Sequence, residues 1–133
     1  MVCIADTGFI VALNSPVKRE REWARGHFEE RGAPFYTCEA ALTEASHLIE
    51  PAAVGRLVES GFLAVRFSLF EQIAPLVRLM EKYSGRMDVA DACVVRMSEL
   101  FPTCEVFTVD RKDFTVYRRF GNKPVPTVFP PED

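Results

Sequence analysis

Hydrophobic positions follow two alternating periods along the chain, and each change of period marks a new element. Residues 2–5 are a short apolar run that stops at Asp6, the pattern of a strand buried on both faces. Residues 7–13 can turn helical before Asn14, Ser15 and Pro16 break the run. Residues 18–31 place Trp23 and Phe28 among many charges, as a surface helix with a thin apolar stripe does, and residues 35–37 read as a brief strand. Helices are predicted over 39–49 and 51–60, the second opened by Pro51 at its first turn and stopped by Gly61. A strand over 63–67 and a helix over 69–83 follow, with Pro75 either kinking that helix or marking its start. The most regular helical spacing is Ala90, Val94, Met97 and Phe101, predicting a helix over 88–101 that Pro102 ends. A strand over 106–109 ending at Asp110, a short helix over 113–120 and an edge strand over 125–129 complete the pattern. Strands alternating with helices predict an α/β fold. Its mostly parallel sheet of four or five strands should carry helices on both faces, with any site outside the carboxyl ends of the strands.

Composition narrows the class without naming a function. A chain of 133 residues that is 48% hydrophobic and 26% charged suits one unit, 1–133, with its own core. A net charge of −3 rules out a strongly basic coat, although local basic patches remain. No apolar run is long enough to span a bilayer. The opening residues lack a basic stretch and meet Asp6 at once, so no secretory leader is expected. Cys3, Cys38, Cys93 and Cys104 form no C-x-x-C pair, which disfavours a zinc knuckle and fits a reduced, cytoplasmic chain. His27 and His47 read as surface or packing residues.

The acids carry the chemistry. Asp6 and Asp110 each close a predicted strand, and Asp88 and Asp91 share one face near a helix N-terminus. Each has a structural alternative: Asp6, Asp88 and Asp113 suit helix caps, and Asp91 gains from the helix dipole. Glu44 lies mid-helix among small neighbours. A doubly wound sheet nevertheless brings Asp6, Glu44, Asp91 and Asp110 to one rim. Carboxylates crowded there need a divalent cation or raised pKa values. Hard oxygen donors without a His or Cys cluster select Mg²⁺ or Mn²⁺, which act on phosphates.

The stretches Ile4-Ala5-Asp6-Thr7-Gly8, Thr43-Glu44, Met87-Asp88-Val89-Ala90-Asp91-Ala92 and Thr108-Val109-Asp110-Arg111-Lys112-Asp113-Phe114 resemble the acidic motifs of PIN domains. They are more similar still to those of VapC-type toxins of toxin–antitoxin pairs. The resemblance implies a three-layer α/β/α fold and a Mg²⁺- or Mn²⁺-dependent endoribonuclease. It also implies a homodimer and inhibition by an antitoxin protein. It maps the metal-site acids onto Asp6, Glu44, Asp91 and Asp110, with Thr7, Asp88 and Asp113 as supporting residues behind them. A PIN-like module that binds RNA or protein without catalysis is the alternative. Asp6-Thr7-Gly8 also spells an aspartic-protease signature, but the helical periodicity argues against that nearly all-β class.

Three further expectations concern partners. Residues 111–123 hold five cations against the single acid Asp113, which makes Arg111 and Lys112 RNA-contact candidates beside Asp110. Phe9, Trp23 and Phe28 offer apolar contact to an antitoxin, or else pack the core. In the 69–83 helix, Ile73, Leu76, Val77 and Met80 form a core stripe from which Leu79 departs, so Leu79 should meet an identical helix in a dimer.

Overall fold

The computed structural model describes residues 1–132. Five strands, β1 (Val2–Ala5), β2 (Phe35–Thr37), β3 (Leu63–Val65), β4 (Cys104–Phe107) and β5 (Thr127–Val128), form one sheet in the order β3-β2-β1-β4-β5, with every neighbouring pair parallel. Seven helices surround it: α1 (Thr7–Ala12), α2 (Lys18–Arg31), α3 (Glu39–Ala45), α4 (Pro51–Glu59), α5 (Ile73–Lys82), α6 (Val89–Leu100) and α7 (Arg111–Phe114). The expected α/β/α architecture is present. The chain runs from β1 outward through β2 to β3, then returns to place β4 on the other side of β1. This reversal makes the β1/β4 carboxyl edge the switch point of the sheet, where adjacent loops part and a crevice opens.

The two faces are filled differently. Phe9 of α1 stacks on Phe35 of β2 with ring centroids 5.0 Å apart, and both meet Phe107 of β4. Trp23 and Phe28 of α2 close over this cluster. Phe9 and Trp23 are therefore core residues, and of the proposed antitoxin contacts Phe28 and the edge of Trp23 also line surface grooves. His27 packs edge-on against Phe107, as a packing residue. On the opposite face Tyr36 meets Phe101, just past the end of α6. The helix α6 is the most deeply buried, with Ala92, Cys93, Val94, Val95 and Met97 fully enclosed.

Several boundaries differ from the sequence pattern for identifiable reasons. The predicted helix over 113–120 is the single turn α7, after which Arg118 and Arg119 pair antiparallel with Lys123 and Pro124 in a small hairpin. The β-branched Thr115 and Val116 weaken further helix and leave it through a turn, and Phe120 and Gly121 turn the hairpin with positive φ values of 53° and 83°. Asp113 does not cap a helix; Asp110 does, accepting from the Asp113 N–H at 3.0 Å. The 39–49 helix stops at Ala45, and the 63–67 strand at Val65. The 106–109 strand is shifted to Cys104–Phe107, so Thr108 and Val109 separate it from Asp110.

Helix α5 begins at Ile73, with Pro75 in its first turn, where its missing N–H leaves no bond unmade. It is also rotated relative to the predicted stripe. Leu76 is fully buried, and Leu79, Met80 and Tyr83 pack on the core, whereas Ile73 and Val77 are 46% and 43% exposed. Leu79 thus points inward. Both stripes have equally good helical spacing; the one that packs on the core leads to Tyr83, whose hydroxyl accepts the Arg118 N–H at 2.9 Å.

A candidate acidic metal centre

Asp6 leaves β1 at the switch point. Its backbone N–H donates to the Phe107 carbonyl at 3.0 Å, extending the β1/β4 ladder by one bond. Its side chain caps no helix. It instead accepts from the Thr108 hydroxyl at 2.7 Å, and the same hydroxyl oxygen accepts the Asp110 N–H at 3.1 Å. Thr108 therefore fixes the two strand-end aspartates relative to each other. The Thr7 hydroxyl turns away to the Ala41 carbonyl of α3, at 3.4 Å, while the Thr7 backbone N–H meets the Asp6 carboxylate. Gly8 completes this corner. A Cβ built there would lie 2.3 Å from Val109 Cγ2, so only glycine lets α1 approach the loop that carries Asp110.

Helix α6 delivers Asp91 from the second side. Asp88 is its N-cap and accepts the Asp91 N–H at 2.8 Å, so the cap expected of Asp88 is present. The Tyr117 hydroxyl donates to Asp91 Oδ2 at 2.7 Å and holds that carboxylate over the crevice. One carboxylate oxygen each from Asp91, Asp110 and Asp113 lie within 4.8 Å of one another. Among the described residues, no histidine or cysteine joins this group. Asp113 is also paired with Arg86, at 3.0 Å. Asp6 and Glu44 stand outside the close trio but act on it through space: Glu44 and Asp110 both disfavour ionisation of Asp6. Glu44 lines a shallow groove between α3 and the start of α6, together with Asp88 and His47.

Burial and mutual repulsion set the protonation of the rim. Asp6 is pushed up to about 6, chiefly by desolvation and against the hydrogen bond from Thr108. Asp91 is pushed up to about 7, again by desolvation first, with Asp88, Asp6 and Asp110 adding to it. Burial also raises Glu44 and Asp110. Such a set stores unfavourable charge at neutral pH, and a cation relieves it. Every donor is a carboxylate oxygen, the chemistry that suits Mg²⁺ or Mn²⁺ rather than softer metals.

Local sequence patterns did not identify Thr108 or Tyr117 as site residues. Thr108 reaches Asp6 across 102 residues of chain, and Tyr117 lay in a segment predicted to be helical. Of the two RNA-contact candidates, Lys112 is exposed. Arg111 is engaged by the C-terminal segment: it lies 4.6 Å over the Phe129 ring and donates to the Pro130 carbonyl at 2.6 Å. The chain matches no family model, and no curated protein matches it in sequence. Among the described residues, no helix is long and apolar enough to cross a membrane.

Proposed function

We propose that the protein is a Mg²⁺- or Mn²⁺-dependent endoribonuclease of the PIN-domain type, acting as the toxin of a toxin–antitoxin pair. The observation that carries this reading is the meeting of Asp91, Asp110 and Asp113 at the β1/β4 switch point, beside the buried Asp6. Asp91 and Asp110 belong both to this trio and to the acid set of the resemblance, and they are the core of the proposed ligand set. Asp6 and Glu44 complete its charge, and Asp113 adds a third close oxygen. Asp88 and Thr7 act behind them, through the α6 cap and the Thr7 contact to α3. A divalent cation bound there supplies Lewis-acid stabilisation of the scissile phosphate and an activated water. The protein's own part is to hold its carboxylates rigid: Thr108 fixes Asp6 and Asp110, and Tyr117 fixes Asp91.

Two partners belong to the same reading. An antitoxin segment would dock in a cavity of about 260 Å³ lined by Leu13, Phe28, Leu57 and Phe62, with Arg25 and Glu29 at its rim. A second copy of the chain would cover the outward residues of α5 and the preceding turn, Phe70, Ile73 and Val77, of which Phe70 is 86% exposed. The test of the function is cleavage of single-stranded RNA with Mn²⁺ by the parent and by Asp91→Asn. Loss of cleavage in the folded variant supports the reading. Equal cleavage by both overturns it, and RNA binding by the parent without cleavage even in Mn²⁺ favours the non-catalytic module.

A further inference from the structure

A second concentration of positive charge lies away from the residues 111 and 112 that the sequence suggested. A cavity of about 300 Å³ opens between α5, α6 and the hairpin strand at Arg118 and Arg119. Arg78, Lys82, Arg96 and Arg118 line it against one carboxylate, Glu99. Helix spacing explains the convergence: Arg78 and Lys82 are four residues apart on α5, and Arg96 and Glu99 three apart on α6.

Two of these cations, Lys82 and Arg118, are positioned rather than neutralised. Lys82 Nζ donates to the Gly121 carbonyl at 2.7 Å, and Arg118 Nη1 donates to the carbonyls of Thr115 and Tyr117 at 2.9 and 3.0 Å. Carbonyl partners fix geometry but leave the charge in place. Arg96 does meet Glu99, at 3.0 Å, yet the other Glu99 oxygen is taken by the Phe120 N–H at 2.7 Å. The lining therefore keeps a formal excess of three positive charges in a chain whose total is −3. Like charges held around one cavity repel, and an anion seated among them removes that cost.

The cavity also adjoins the acidic rim through a defined seam. Tyr117, which holds Asp91, is followed directly by Arg118 of the cavity wall. Tyr83, which accepts the Arg118 N–H, follows Lys82, and the Tyr83 and Tyr117 rings pack edge-on at 5.1 Å. Two aromatic rings thus separate the carboxylates from the cations. A polyanion presented to the acids is repelled by them and needs cations next door to hold it; a strand with repeating phosphates can reach both.

We infer that this cavity is a phosphodiester subsite, seating a backbone phosphate of the same single-stranded RNA whose neighbouring segment lies at the acidic rim. The inference rests on the ribonuclease reading, and its test lets either fail alone. A fluorescent oligouridylate is titrated in EDTA, so that no cleavage occurs, against the parent, Arg78→Glu, Lys82→Glu and Arg56→Glu. Arg78 and Lys82 are exposed, so their variants retain the fold, which circular dichroism checks. Arg56 is an exposed arginine of α4 outside the cavity, and its reversal controls for net charge. Each cavity reversal should weaken binding about tenfold at low salt and lower the salt slope by about 0.7 or more, while Arg56→Glu stays within about twofold. Arg78→Lys should retain most of the affinity. A parent that binds RNA but does not cleave it with Mn²⁺ removes the ribonuclease reading, while the binding comparison still decides the cavity. A parent that binds no RNA, or cavity variants no weaker than Arg56→Glu, overturns the subsite.

Discussion

Replacing Gly8 with alanine separates two effects that usually act together. Gly8 is the second residue of α1 and needs no left-handed backbone, so helix propensity alone favours alanine by up to about 1 kcal/mol. Packing opposes this. The new Cβ would lie 2.3 Å from Val109 Cγ2 and 3.2 Å from Val109 Cβ, well inside the ~3.5–4.0 Å of a favourable carbon contact. Rotating the Val109 side chain moves Cγ2 but not Cβ, so the backbone between Thr108 and Asp110 must also shift. Overpacking of this kind costs ~1–3 kcal/mol, which, set against a propensity gain of about 1 kcal/mol, leaves a net loss of up to about 2 kcal/mol. Urea denaturation of Gly8→Ala, Gly26→Ala, Val109→Ala and the Gly8→Ala/Val109→Ala pair measures it. Gly26 lies in α2 with nothing within 4 Å of an added Cβ, so Gly26→Ala should gain roughly 0.5–1 kcal/mol. Val109→Ala should recover about half of the Gly8→Ala loss, as a coupling energy near 1 kcal/mol in the double-mutant cycle. If Gly8→Ala is as stable as Gly26→Ala, or the pair shows no coupling, the close approach is not what holds this corner.

The raised carboxylates give a pH dependence of definite sign. The unfolded chain ionises Asp6 and Asp91 near 3.8, whereas the folded chain holds their protons to about 6 and 7, so this stabilisation is complete below about pH 4 and is lost as pH rises through 6 to 7. For Asp6 alone the difference is on the order of 3 kcal/mol. Melting in EDTA should show lower stability at pH 8 than at pH 5.5, and Mn²⁺ should restore most of it; a metal-free curve that rises with pH contradicts the burial argument. Asp91→Asn should accordingly raise the metal-free melting temperature at pH 8 while abolishing cleavage, since the neutral amide still accepts from Tyr117. Thr108→Val removes two hydrogen bonds at once and should cost about 2 kcal/mol or more and weaken Mn²⁺ binding, read by denaturation and calorimetry. Light scattering should find a dimer that Ile73→Glu dissociates and Phe70→Ala weakens; a parent that is monomeric at micromolar concentration ends the self-association reading.

The sequence revealed most where local pattern and burial coincide. Residues 2–5 have no polar position and became a central strand, and the spacing Ala90, Val94, Met97 became the most enclosed helix. It was ambiguous where two patterns fit equally well. On α5 the stripes containing Ile73 and Leu79 have the same periodicity, and which one is buried depends on tertiary packing that local spacing does not encode. Asp91 and Asp110 were legible as site candidates because strand ends and helix N-termini face one edge of a parallel sheet. Asp113 was placed behind the ligands by the resemblance and offered as a helix cap by a helix predicted a few positions too late; the cap is Asp110, and the Asp113 carboxylate lies in the close trio. Arg111 looked available because its partners, Phe129 and Pro130, belong to a distant part of the chain.

The position of β1 at the centre of the sheet fixes the order in which a nascent chain can acquire its chemistry. The strand is made first, yet its second neighbour, β4, spans residues 104–107, and the hydroxyl that seats Asp6 belongs to Thr108. At ~5–20 residues per second, translation takes roughly 5–20 s to bring that partner into existence. Throughout that interval β1 has one flank without a strand to pair with, and Asp6 and Asp91 have no Asp110 to face. The pairing of greatest sequence separation is therefore also the one that completes the site. Its cost is a slow, long-range step late in folding. In return, a half-made chain lacks the constellation on which any cleavage activity would depend.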